Sequence, residues 1–111
     1  MDQLSSAFSA LADPTRRAIL TRLQTGGASF TELAQPFEMS RPAVVKHIKA
    51  LEKAGLVLRT GSATRPVYRL NAAPMQGARD WLNDYQRFWE ESLDRLDAYV
   101  QEVMNQKGGK A

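Results

Sequence analysis

Apolar side chains recur at helical intervals through the first half of the chain. Leu4, Phe8 and Leu11 fall at i, i+4 and i+7 with Ala7 beside them, which predicts a short first helix. Asp13-Pro14 then reads as a helix start, with Asp as N-cap and Pro at the first helical position, where its missing N–H does no harm. Ile19, Leu20 and Leu23 supply the apolar face of this second helix, and Gly26-Gly27 end it. A third helix is expected from Thr31 as cap through Glu32-Leu33-Ala34 towards Phe37, kept short or distorted by Pro36. Ser40 caps a fourth helix over residues 41–54, which stops at Gly55.

Beyond Gly55 the period changes from helical to alternating. Residues 56–60 (LVLRT) and 65–70 (RPVYRL) are two short β-type runs separated by a loop at 61–64, and together predict a hairpin. After Asn71 and Pro74, residues 75–106 read as one long helix, and 107–111 as a disordered tail. The expected fold is therefore mainly α with a small β-hairpin: four helices, a two-stranded wing and a long C-terminal helix. No repeat or linker divides the 111 residues, so residues 1–106 are expected to form one domain.

Composition narrows the classes. Hydrophobic residues at 43% and charged residues at 24% fit an ordered chain rather than a disordered one. The absence of cysteine removes disulfides, thiolate metal sites and cysteine catalysis. No stretch has the apolar core of a signal peptide or the ~20 apolar residues of a membrane span, so a cytoplasmic protein without membrane partners is expected. The net charge of +3 is unevenly placed. Residues 41–69 carry seven basic side chains and one acid, whereas the flanking segments are both slightly negative. A local basic patch on a near-neutral chain fits nucleic acid, although a solvated lysine-rich face has the same composition.

The basic segment coincides with the fourth helix and the hairpin. Val44, Ile48 and Leu51 share one face of that helix at 100° per residue, while Pro42, Val45, Lys46, Lys49 and Lys53 fall on opposite or flanking faces. A recognition helix must have both sides, one fixed to its own core and one turned to the DNA major groove. An ordinary surface amphipathic helix shows the same division. Arg65 near the hairpin tip and Arg59 and Arg69 on its strands suit a wing that holds phosphates or reaches into the minor groove. Exposed surface arginines are the alternative.

The segments FSALADPTRRAILTRL, FTELAQPFEMSRPAVVKHIKALEKAGLV and the hairpin ending VYRL, in that order over residues 4–71, resemble the ArsR family of bacterial transcriptional regulators. LADPTRRAIL is distinctive, whereas HIKALEKAGLV is shared with other winged-helix groups. The resemblance implies a winged helix-turn-helix repressor that binds a double-stranded DNA operator as a homodimer, built on the first and last helices. Carried onto this chain, it implies DNA contacts from Ser40, Arg41, Pro42, Ala43, Val45, Lys46, His47, Lys49 and Arg65. The better-known members sense metals through cysteines, or through acidic and histidine ligands on the last helix. Here Thr31–Pro36 contains no thiol, and the last helix has seven spaced carboxylates but no histidine, a poor donor set for zinc. The chain thus resembles the cysteine-free branch often encoded beside START-type small-molecule-binding domains, and no metal or cofactor site is expected.

Along the last helix Trp81, Tyr85, Phe88, Leu96, Tyr99 and Val103 line one side, broadened by Leu82, Trp89, Leu93 and Val100. That surface exceeds what a terminal helix buries against one small domain. Together with Leu4, Phe8 and Leu11 it is expected to form a dimer interface. The alternative is an aromatic pocket of Trp81, Tyr85 and Trp89 for a small-molecule effector. An enzyme is not expected, since there is one histidine, no cysteine and no phosphate-binding glycine loop. A winged-helix protein–protein module is the remaining alternative. It has no need to keep Lys46, Lys49 and Arg65 on one side.

Overall fold

Each of the first four helices opens on a side-chain cap. In the computed structural model, which describes residues 2–108, Asp2 caps α1 (Gln3–Leu11) and Asp13 caps α2 (Pro14–Leu23), each carboxylate accepting a backbone N–H three residues on. Ser29 caps α3 (Phe30–Ala34) in a reciprocal box: its hydroxyl accepts the Glu32 N–H, and the Glu32 carboxylate accepts the Ser29 N–H. This corrects the expected start at Thr31. A hydroxyl at either position can cap, but only Ser29 has a glutamate three residues ahead to close the box. Ser40 caps α4 (Arg41–Lys53) as expected, with Pro42 in its first turn. Gly55 follows at φ +77, the left-handed position that ends the helix.

Strands β1 (Val57–Gly61) and β2 (Pro66–Leu70) pair antiparallel in the register Val57↔Leu70, Arg59↔Tyr68 and Gly61↔Pro66. The free edge of β2 is bridged by one residue of the α2–α3 connection, where Ala28 and Tyr68 exchange both backbone hydrogen bonds at 3.0 and 2.8 Å. The hairpin is thereby tied to the helical unit at its midpoint. Asn71 ties its end, donating from its backbone N–H to Leu56 and from Nδ2 to the Gly55 carbonyl. Met75 opens the long α5 (Met75–Gly108), two residues longer than the sequence suggests. The remainder of the expected tail, 109–111, lies outside the described residues.

The packing divides between Ala78 and Arg79. In the first unit Ile19, Leu20, Leu23, Leu33, Val44, Ile48, Leu51, Leu56, Val57 and Tyr68 form a continuous core. Leu51 and Leu56 are fully enclosed, and burial of such a side chain stabilises by about 1.5–3 kcal/mol. The distinctive Arg16-Arg17 pair joins α1 to α2. Arg16 donates to the carbonyls of Ala10 (2.8 Å) and Ser9 (3.0 Å), and Arg17 to that of Leu11 (2.7 Å). These are carbonyls of the last turn at the negative end of α1, where cations are favoured; that of Ser9 also accepts the Ala12 N–H.

The second unit is the rest of α5. Among its described residues nearly every side chain is exposed, including the Trp81, Tyr85, Phe88 and Trp89 rings. Those rings pack on one another: Trp81 and Tyr85 stack at 5.4 Å, and Tyr85 meets Trp89 edge-on at 5.9 Å.

Candidate nucleic-acid interface

Helix α4 is held by one face. Val44, Ile48 and Leu51 are buried in the core, and at 100° per residue the faces opposite them carry Pro42, Lys46, Lys49 and Lys53, all exposed. The flank turned to the hairpin holds Arg41 and Val45. The flank turned to α2 holds Ala43 and His47, both half-buried, with the His47 Nδ1 enclosed 3.7 Å from the Asp13 carboxylate. Ser40 is exposed, with its hydroxyl engaged as the cap.

Between α4 and the hairpin runs a cleft of about 330 Å3. Arg41, Val45, Lys49 and Glu52 form its α4 wall. Arg59, Pro66 and Tyr68 face them, Thr64 lies towards the hairpin tip, and Phe30 contributes from α3. The sheet register decides which arginines belong here. Arg59 pairs with Tyr68, so both project from the same side of the hairpin. Arg69 is one residue further along β2 and projects from the other side, where its guanidinium lies near Gly27. Arg65 is exposed at the end of the turn, its backbone N–H donating to the Ser62 Oγ at 3.0 Å. The sequence candidates therefore fall into an outward set (Pro42, Lys46), a cleft set (Arg41, Val45, Arg59), Lys49 shared by both, and Ser40, Ala43, His47, Arg65 and Arg69 outside them.

Sequence reasoning missed Phe30, Tyr68, Thr64 and Glu52, whose place in the cleft depends on register and on the α3–α4 turn. It also left Lys53 out of the site, although the 3.6-residue period puts that residue on the outward face.

The arginines fall into two kinds. Arg16 and Arg17 donate to α1 carbonyls, and Arg22 pairs with Glu32 at 3.1 Å. The Ser29 backbone and hydroxyl, followed by Arg22, hold Glu32 below the usual carboxylate range. Among the described residues, the side chains of Arg41, Lys46, Lys49, Lys53, Arg59, Arg65 and Arg69 have no hydrogen-bond or ion-pair partner within the chain. Their donors remain available to an external polyanion. No group of three or more His, Asp or Glu side chains converges on a common point among those residues, and no helix is long and apolar enough to cross a membrane.

A family model described as a helix-turn-helix domain matches residues 11–60, from the end of α1 to the end of β1. The chain is 44% identical over 87 residues to HTH-type transcriptional regulator Rv2034 of Mycobacterium tuberculosis, covering 78% of each protein. Among solved structures, the ArsR family transcriptional regulator RHA00566 is 40% identical and aligns with a TM-score of 0.74, over 80% of this chain and 98% of that one. The homodimeric winged helix-turn-helix DNA-binding domain Mb0332 of Mycobacterium bovis is 26% identical, with a TM-score of 0.58 over 85% and 84% of the two chains.

Proposed function

The chain belongs to the ArsR family of transcriptional regulators, and from that premise we propose that α4 enters the major groove of an operator while the hairpin lies along the adjacent backbone. The observation that carries this reading is the two-sidedness of α4. One face is locked into the core, and the opposite face presents Lys46 and Lys49, which have no hydrogen-bond or ion-pair partner among the described residues. A helix with side chains measures about 10–12 Å across, and the major groove is about 12 Å wide. Lys46, Lys49 and Pro42 then face the groove floor. Arg59 and Arg65 meet phosphates beside it, and Arg69 meets the backbone only if the duplex curves around the hairpin. Ser40, Ala43, Val45 and His47 set the depth and tilt of the helix. An operator overlapping a promoter excludes polymerase when occupied, so repression is the direct consequence, exerted in the cytoplasm where the chromosome lies. Fluorescence anisotropy of a labelled duplex from upstream of the protein's own gene tests this. Tight, salt-sensitive binding supports it, and no preference over random duplex opposes it.

Assembly is the second part of the reading. Trp81, Tyr85, Phe88, Trp89, Leu96 and Tyr99 are all exposed along α5, and exposed clusters of large apolar side chains mark interaction surfaces. Coverage of these side chains by a second copy, with half-buried Val103, Leu4, Phe8 and Leu11 contributing, makes residues 1–106 one DNA-binding and dimerisation domain. The homodimeric Mb0332 domain supports this choice over an effector pocket on α5 or a purely protein-binding wing.

A further inference from the structure

The cations of residues 41–69 are not equally constrained. The Arg41 guanidinium stands over the Phe30 ring at 4.5 Å from its centroid, and among the described residues no other cation is held against an aromatic ring. Phe30 is itself fixed, since it opens the capped helix α3 and packs partly buried on the core. The pair forms the wall common to two depressions: the cleft beside the hairpin, and a second of about 310 Å3 between α3 and α4 that reaches Met39 and Val44.

Stacking on a ring face orients a guanidinium without consuming its in-plane N–H donors. Among the described residues Arg41 has no hydrogen-bond or ion-pair partner, so its N–H donors are unoccupied while the ring holds the guanidinium in place. It is also the first residue of α4, and the N-terminal residues of a recognition helix reach base edges. A cation that only neutralises a phosphate needs no such aim. A planar fork held in one orientation matches the O6/N7 edge of guanine.

We infer that Arg41 reads a guanine in each half-site and that Phe30 is its positioning residue, an inference that rests on the DNA-binding reading of α4. Selection from a randomised duplex library tests it with wild type, Arg41→Lys, Phe30→Leu and Phe30→Tyr. The wild type is expected to select a motif with a strongly preferred guanine. Arg41→Lys keeps the charge but not the fork. It should relax that one position by about five- to 150-fold with the salt dependence unchanged. Phe30→Leu should relax the same position without touching any base itself, and Phe30→Tyr, which restores a ring face, should recover it. Arg41→Lys is exposed and stays informative even if Phe30→Leu fails to fold. An unchanged profile for Arg41→Lys, or an even loss across all sequences, overturns the base-reading role. Relaxation by Phe30→Leu at a different position, or at none, overturns the positioning role. Failure of the wild type to select any motif overturns the DNA-binding reading beneath both.

Discussion

One carboxylate oxygen of Asp13 serves two helices: Oδ2 accepts the Arg16 N–H at 3.0 Å, which starts α2, and stands 3.7 Å from Nδ1 of His47 on α4. The cap and the interhelical contact therefore share one oxygen atom. The Arg16 N–H, with His47 contributing less, holds the Asp13 carboxyl below the usual carboxylate value.

Acid stability follows from that depression. A carboxyl whose folded value lies below its unfolded value of about 3.9 stabilises fully above that point, and the contribution is lost as pH falls through the folded value. Melting temperature is expected to fall as acid is added below about pH 4. Asp13→Asn keeps a capping acceptor and removes the titration, so its acid limb should be shallower than that of wild type. Asp13→Ala, which loses cap and charge together, should melt lower than Asp13→Asn at neutral pH. Thermal melts from pH 2 to 7 make the comparison.

Binding to DNA should weaken steeply with salt. Each phosphate contact contributes a slope of about −0.9 in log K against log salt, and six to ten contacts correspond to a loss of about 10³–10⁵ between 50 and 200 mM. Lys46→Ala or Lys49→Ala should reduce the slope by about one if the lysine meets phosphate, or cost about 1–3 kcal/mol in a sequence-dependent way if it meets a base. Anisotropy titrations at four salt concentrations separate the two.

The core beneath α4 should be intolerant of truncation. Leu51→Ala leaves a cavity at a fully enclosed site and is expected to cost about 2–5 kcal/mol, read as a lower urea midpoint. Lys53→Ala, two residues on and exposed, should leave the midpoint nearly unchanged.

The hairpin can be tested without altering α4. Gly61 has φ +81, and a Cβ there would lie 2.6 Å from the Arg65 carbonyl oxygen. Gly61→Ala is therefore expected to cost roughly 1–2 kcal/mol from the backbone conformation alone and to displace the turn that carries Arg65. Weaker DNA binding with an unchanged base preference is the expected readout. A changed preference would move base reading onto the wing.

Self-association should depend on α5. Phe88→Asp or Trp89→Asp places an uncompensated charge in the proposed interface, at a cost of several kcal/mol. Sedimentation should show monomers, and specific DNA binding should be lost although every basic residue remains. A wild type that stays monomeric at tens of micromolar would remove the dimer and favour an effector on the aromatic face.

Local order was the legible part of the sequence. The spacing of Val44, Ile48 and Leu51 placed the buried face of α4, and Ser40 with Gly55 placed its ends. The start of α3 was also written in the chain, as Ser29 followed at three residues by Glu32, a stronger signal than the hydroxyl of Thr31. The gathering of the cleft was less visible. Arg59 and Arg69 look equivalent as members of two alternating strands, and only the pairing of Arg59 with Tyr68 puts them on opposite sides. Phe30 and Arg41 lie eleven residues apart across an irregular turn. No periodicity connects them.

The clasp between α1 and α2 has a consequence for how such a protein diversifies. Arg16 and Arg17 grip main-chain oxygens, so the hydrogen bonds of the joint do not use the exposed side chain of Ser9, whereas Ala10 and Leu11 pack on the core. With α1 in the proposed dimer interface, substitutions along its outward side re-address that surface to a different neighbour while the hydrogen bonds that join α1 to α2 are kept. A duplicated copy of this gene could in this way stop pairing with its parent and still keep the parent's reading head.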